Sequence, residues 1–453
     1  MPTLDPITDG EVAPWLTDVR QRFYTRPTRI PLAEVALWEA HPGVATIRHE
    51  SGRFFDIHGL AVAVDGVLTW RQPVVYQNDI GVLGLLMAER DGELQVLVQA
   101  KPEPGNINGV QISTTVQATH SNYTRVHGGR PVPYLDYFAN PAPHQIVVDT
   151  RQSEHGAVFF RKRNRNIVVQ VAEPPAAQDG FCWLPLSTVY RLLAVDDLLS
   201  MDLRTVLGCL PWVPEPAPTT SSPFQHALHR SMQPDAPARH RLPDLLHWIT
   251  DTRCRHRVDT TRLSLPELPE WRHVDGVLSA GKDSPFHIIG VSVEAAGREV
   301  QSWSQPMIEV PDPGVLALLV ADIEGVLHLL VQLRIEPGLI DVAELAPSVQ
   351  QLPGTPEPSA AEAELLIRAL SASPQDIRFD TMLSEEGGRF FHTRNRHLIV
   401  ETAPFDEPTG YRWITVAQLR ELLRHSYYAN VQTRSLLSCL TSLLAEPAPG
   451  GRC

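Results

Sequence analysis

At 453 residues the chain exceeds what one ordinary hydrophobic core supports, so length alone calls for two or three domains. Its composition, 43% hydrophobic and 20% charged, is that of a globular protein, and a formal net charge of −13 argues against nucleic-acid or anionic-membrane binding, which needs a basic face. Five cysteines (Cys182, Cys209, Cys254, Cys439 and Cys453) without CxxC or Cys/His ligand spacing argue against a disulfide framework and against structural zinc.

The segment MPTLDPITDGEVAPW has no basic stretch leading into an apolar one, and no apolar run approaches the ~20 residues of a membrane helix, so a soluble cytoplasmic protein is expected. In chain order, residues 15–22 and 32–38 read as short helical pieces. Residues 55–64, 82–88, 94–99 and 146–148 alternate or are rich in β-branched side chains and read as strands. Residues 159–169 read as one long strand with Arg161, Arg163 and Arg165 on one face and Lys162, Asn164 and Asn166 on the other. Residues 184–193 and 198–207 read as helices, the second preceded by an Asp-rich segment suited to capping it.

The chain repeats itself. Shifted by 233 positions, Trp15, Thr17, Asp18, Arg20, Arg22, Thr28, Arg29, Leu32, Glu34 and Trp38 meet identical residues, 10 identities in 24 positions where chance gives about one or two. The same shift carries Glu103-Pro-Gly105 onto Glu336-Pro-Gly338 and Val116-Gln117 onto Val349-Gln350. Further on, Phe159-Phe160 and Arg163-Asn164-Arg165 meet Phe390-Phe391 and Arg394-Asn395-Arg396 at a shift of 231, and Trp183, Arg204 and Cys209 meet Trp413, Arg434 and Cys439 at 230. This is a tandem duplication. The expected division is residues 1–211, a Pro-rich linker over 212–244, and residues 245–453, with a short apolar stretch at Ala227-Leu228 as a helix docked on one copy. Strands followed by packed helices imply an α+β sandwich in each copy.

Three features offer chemistry. The first is the segment from Lys101 to Gly129, which follows a strand and carries many polar side chains but few charges. Its Asn and Gln suit a pyrimidine edge or sugar hydroxyls, and Tyr123 offers a stacking face; a hydrogen-bonded surface loop is the competing reading. The second is the Arg-Asn-Arg pair, whose guanidinium forks suit a diphosphate or, equally, a charged edge strand. The third is Glu103 with Glu336, at matched turns, either general bases or turn residues. There is no GxGxxG after a strand, no GxxxxGK[ST], no HExxH and no GxSxG.

The stretch EPGNINGVQISTTVQATHSNYTRVHGG, with RNRN and GGRFFHTRNRH, resembles the NDP-hexose 2,3-dehydratase family over nearly the whole chain. That resemblance implies a tandem pair of Nudix-like α/β/α sandwich modules in a homodimer, working without a cofactor on dTDP-4-keto-6-deoxy-D-glucose. It implies loss of water across C2–C3 in deoxysugar biosynthesis for a secondary metabolite such as an antibiotic, followed by an NADPH-dependent 3-ketoreductase. Neither copy has the RExxEE-type run with which a Nudix hydrolase binds metal, so no metal site is expected.

By resemblance the acid–base residues are Glu103, Tyr123 and His127. The nucleotide sugar falls to Asn106, Asn108, Gln111, Gln117, Asn122, Arg125, Arg163 and Asn164. The second copy lacks counterparts of Asn106, Asn108 and the SNYTRVHGG stretch, so Glu344, Gln350, Arg394 and Asn395 are expected to bind a ligand without turning it over. A non-catalytic nucleotide-sugar-binding partner protein is the main alternative, and a metal-dependent diphosphate hydrolase the lesser one.

Overall fold

The computed structural model describes residues 12–119, 131–211, 222–282, 284–297, 300–352 and 358–445. It is an α+β protein with four sheets in two repeated halves. In the first half, strands Ile47–His49, Asp56–Val64, Val67–Tyr76 and Phe159–Phe160 belong to one sheet. Strands Gly81–Arg90, Glu93–Pro102, Ile146–Ser153, Arg163–Gln170 and Phe181–Pro185 form a second, mixed sheet, in which Arg163–Gln170 runs parallel to Gly81–Arg90. The second half repeats this mixed sheet with Val315–Ile323, Val326–Arg334, Ile377–Ser384, Arg394–Glu401 and Tyr411–Thr415.

The two halves exchange a strand. Tyr24–Ile30 pairs antiparallel with His287–Ala296 of the second half, and the equivalent Val258–Leu263 pairs with Asp56–Val64 of the first. The matched arginines of the repeat sit on these strands: Arg29 reaches Glu309 at 3.0 Å and Arg262 reaches Asp56 at 3.5 Å. Each half therefore finishes the other's sheet.

Between the mixed sheets, the helices Met201–Gly208 and Val431–Ser442 cross, and their leucines join both halves in one core with Leu85, Val96, Leu318 and Leu329. The crossing is close: a Cβ on Gly208 would lie 2.2 Å from Arg434 O. Two fully buried arginines brace it. Arg204 donates to Leu199 O (2.7 Å), Ser384 O (2.7 Å) and Ser435 Oγ (2.9 Å); Arg434 donates to Ala429 O (2.5 Å), Ser153 O (2.6 Å) and Thr205 Oγ1 (2.6 Å). Burial lowers both guanidinium pKa values, and the hydrogen bonds offset that cost.

Several local expectations change. Residues 159–169 are not one strand: Arg161 takes φ 56°, as its equivalent His392 takes 51°, and the chain passes from Phe159–Phe160 in one sheet to Arg163–Gln170 in the other. Within 32–38 only Leu32–Glu34 is helical, as a single 3-10 turn. The helix Met201–Gly208 is capped by Ser200, whose hydroxyl accepts from Leu203 N, and not by an aspartate. The apolar stretch at Ala227-Leu228 is indeed a helix, Pro223–Ser231; it packs on the Val326–Arg334 strand of the second half. Cys209 and Cys439 are core residues. No helix among the described residues is long and apolar enough to cross a membrane.

Candidate active site

Two equivalent polar clusters lie where the halves meet, and each is assembled from both. The Glu103-Pro-Gly105 turn docks on the other half: Gly105 N–H donates to Gly387 O (2.7 Å), and His392 N–H donates to Gly105 O (3.0 Å). Its counterpart does the same, Gly338 N–H donating to Gly156 O (2.7 Å) and Arg161 N–H to Gly338 O (2.7 Å). A Cβ on Gly105 or Gly338 would sit 1.7 Å from the carbonyl oxygen of Phe390 or Phe159, so only glycine permits the approach.

In the first cluster this docking gathers three buried carboxylates. Glu103 Oε1 accepts from Gln117 Nε2 (3.1 Å), and Gln117 Oε1 accepts from Ser113 Oγ (3.0 Å). Asp202 stands in the first turn of Met201–Gly208, whose cap Ser200 is hydrogen-bonded to Ser113 (3.0 Å). Glu386 arrives from the second half. Burial, then the nearby charges of Glu386, Glu154 and Glu103, push the Asp202 carboxyl well above its usual range, while Lys101 pulls the other way. Burial and Glu103 push Glu386 up to about 7. At neutral pH Glu386 thus stands near its titration midpoint while Asp202 is held toward its neutral form. Such a cluster can both take up and release protons.

The second cluster places Glu336, Gln432 and His155 where the first has Glu103, Asp202 and Glu386. Glu336 accepts from Gln350 Nε2, and Gln350 Oε1 accepts from Asn430 Nδ2 (2.8 Å). His155 Nε2 lies 2.7 Å from Glu385 Oε2, and its Nδ1 lies 3.0 Å from the Gln432 amide. Burial opposes charge on His155, but Glu385 outweighs it and the imidazolium is favoured. Burial likewise opposes the Glu385 charge, yet His155 and Arg204 hold its pKa down to about 2. Turning the Gln432 amide so that its Oε1, which has no other partner among the described residues, faces Nδ1–H satisfies both groups. The histidine is thereby locked in an ion pair. The cavity beside it, lined by His155, Phe286, Glu385 and Asn395, is about 30 Å³, room for water but not for a sugar.

The sequence-derived residues sort by these contacts. Glu103 and Gln117 meet in the first cluster. Asn106 and Asn108 fasten the turn beside it, Asn106 Nδ2 donating to Lys101 O (3.1 Å) and Asn108 Nδ2 to Asp197 O (2.7 Å). Gln111 donates to Ser384 Oγ across the junction, and Glu344, its equivalent, accepts from Ser153 Oγ (2.5 Å). Asn164 and Asn395 donate to Glu154 and Glu385, and Gln350 belongs to the second cluster. Arg163 and Arg394 face outward instead, Arg163 to Asn78 Oδ1 (3.1 Å) and Arg394 to Asp196 (3.2 Å) and Asp197 (3.4 Å). Tyr123, His127, Asn122 and Arg125 lie outside the described residues. Sequence reasoning missed Asp202, Glu386, His155 and Glu385. A signal existed: at the 231 shift, Glu154-His155-Gly156 aligns with Glu385-Glu386-Gly387, just ahead of the matched Phe-Phe.

A duplicated α+β scaffold that buries carboxyl groups of raised proton affinity where its halves meet is suited to proton transfer. The family model described as NDP-hexose 2,3-dehydratase matches residues 9–210 and 242–440, and the chain belongs to that family. It is 43% identical over 437 residues to a Streptomyces violaceoruber protein and 40% identical over 443 to one from Saccharopolyspora spinosa, covering 95% of this chain in each case and 96% and 91% of those proteins. An Amycolatopsis orientalis relative is 39% identical over 459 residues, covering 98% of this chain and 93% of its own length. All three relatives are named dTDP-4-dehydro-6-deoxy-alpha-D-glucopyranose 2,3-dehydratase.

Proposed function

We propose that this protein is a hydro-lyase that removes water across C2–C3 of dTDP-4-keto-6-deoxy-D-glucose, and that the first cluster is where it does so. The family match and the relatives' names support the reaction. The observation that carries the site is the trio Glu103, Asp202 and Glu386, in which burial and like charge raise the proton affinity of Asp202 and Glu386.

The C4 ketone acidifies the C3 proton. Glu103 takes that proton, and the electron pair becomes a C3–C4 enediolate. The pair then returns to expel the 2-hydroxyl, which leaves as water with a proton from Glu386 or Asp202. The product enol at C3 tautomerises, a proton arriving at C2, to the 3,4-diketo-2,6-dideoxyhexose. Placed acid and base groups each contribute about 10²–10⁴-fold. Tyr123 and His127 complete the acid–base set in this reading, with Asn122 and Arg125 on the nucleotide. Within the same reading the halves are Nudix-like modules, the enzyme is a cytoplasmic homodimer, and its reactive diketone passes to an NADPH-dependent 3-ketoreductase in the making of an antibiotic sugar.

Incubation with the 4-keto sugar nucleotide, a 3-ketoreductase and NADPH in deuterated water tests this. A 2,6-dideoxy sugar carrying deuterium at C2 is expected. Tight binding with no product would instead make the protein a nucleotide-sugar-binding partner.

A further inference from the structure

The second half carries an internal anion beside Glu336, the equivalent of Glu103. Glu362, on the helix Ala360–Leu370, is buried against the second cluster. Its Oε1 accepts from the backbone N–H of Gln350 (2.9 Å), and Arg334 Nη1 holds both carboxylate oxygens (3.1 and 3.2 Å). Arg334 Nε also lies 3.8 Å from Glu336, so one guanidinium bridges the anion and the equivalent of Glu103.

The first half has the same backbone at this point. Gln117 pairs with Leu83 as Gln350 pairs with Leu316, so its N–H emerges on the same side. Lys101 replaces Arg334, and its Nζ donates to Gln117 O (3.1 Å) while pulling electrostatically on Asp202. Gln99 repeats the bracing of Gln332, donating to Thr114 O (2.9 Å) as Gln332 donates to Pro347 O (3.1 Å). No described residue of the first half corresponds to Glu362. A carboxylate and an enediolate share a planar, delocalised, oxygen-borne negative charge, so Glu362 marks where such a charge is favoured.

We propose that Lys101 Nζ and the Gln117 backbone N–H form the oxyanion site for the substrate's C4 oxygen, polarising the ketone and holding the enediolate after Glu103 removes the C3 proton. This rests on the dehydratase reading above. It fits the chemistry, because C3–H and C4=O are adjacent and the second half shows base position and anion on one cation. Lys101 is then a catalytic residue that acts chiefly in the transition state, whereas a lysine gripping the diphosphate would act on binding.

The experiment compares wild type, K101M and K101R for kcat, KM, dTDP affinity and wash-in of solvent deuterium at C3. Expected for K101M is a kcat loss of about 10²–10³-fold with KM and dTDP affinity within about threefold, and slowed C3 exchange. K101R, which keeps the charge, loses about tenfold in kcat and serves if K101M does not fold. Raised KM and weakened dTDP binding at unchanged kcat, in either variant, overturns the proposal and assigns Lys101 to the diphosphate. Full activity of K101M overturns it outright. A wild-type protein that makes no diketone sinks the dehydratase reading itself, which the variants do not test.

Discussion

The two junction clusters share a backbone and differ in the state of their protons. In the first, Asp202 and Glu386 stand with Glu103, and burial with like charge raises the proton affinity of Asp202 and of Glu386. In the second, the corresponding positions hold one acid, an amide and a histidine whose charge is consumed by Glu385. Duplication supplied two copies of a scaffold, and at these three positions the clusters carry different titratable groups. The difference also shows how a repeated motif can meet unlike surroundings: Glu103 and Glu336 sit on matched Glu-Pro-Gly turns, yet Glu336 lies between Gln350 and an arginine that also holds Glu362.

The sharpest way to break the comparison is to neutralise the matched glutamates in turn. E103Q should lower kcat by about 10³-fold, and E336Q by less than about threefold, in the ketoreductase-coupled assay. If E336Q does the greater damage, the active half has been misassigned. A smaller effect separates the acids within the first cluster. Burial and the Glu103 charge push Glu386 up to about 7, so an acid acting from its protonated form is lost as pH rises through that region. Turnover should decline above about pH 7, and E386Q should lower kcat by about 10²-fold while flattening that decline. A decline that survives in E386Q would move the role to Asp202.

Much of this was legible before any coordinates. The 233 shift located the repeat because the matched residues cluster in the helix Val12–Arg22, in the strand that follows it and crosses to the other half, and in the turns that dock across the junction. The exchange itself was invisible: Tyr24–Ile30 and Val258–Leu263 hold equivalent places in the repeat, and nothing in either says which half's sheet it joins. The Arg-Asn-Arg strands misled in part, since alternation puts their asparagines inward on Glu154 and Glu385 and leaves Arg165 and Arg396 paired with Asp149 and Asp380 on the surface. Asp202 and Glu386 were unreadable singly, because their significance is mutual and arises from residues 184 positions apart in the chain.

Where the halves agree, substitutions should cost alike. R204M and R434M each strand two buried carbonyl oxygens that the guanidinium now satisfies. Each should destabilise the protein by about 3 kcal/mol in urea unfolding, with the two values similar. A large inequality would mean that one brace also holds the active cluster in shape.

The smallest test concerns one position where the halves disagree without any chemistry at stake. Gln111 and Glu344 occupy equivalent sites and bond to equivalent serines, but the carboxyl of Glu344 is fully buried and its Oε1 has no partner among the described residues. Burial raises its pKa from 4.5 to about 7. The unfolded chain ionises near 4.5 and the folded one only near 7, so the stability associated with Glu344 is fully present below about pH 4.5 and is lost as pH rises through about 7. E344Q makes the second half like the first and removes that loss. It should stabilise the protein by at most about 3 kcal/mol at pH 8, less at pH 6, and not at all by this route at pH 4. A melting-temperature gain that fails to grow with pH would show that the Arg434 charge, which lowers the Glu344 pKa, matters more than desolvation, and that the glutamate is kept as a counter-ion to the brace.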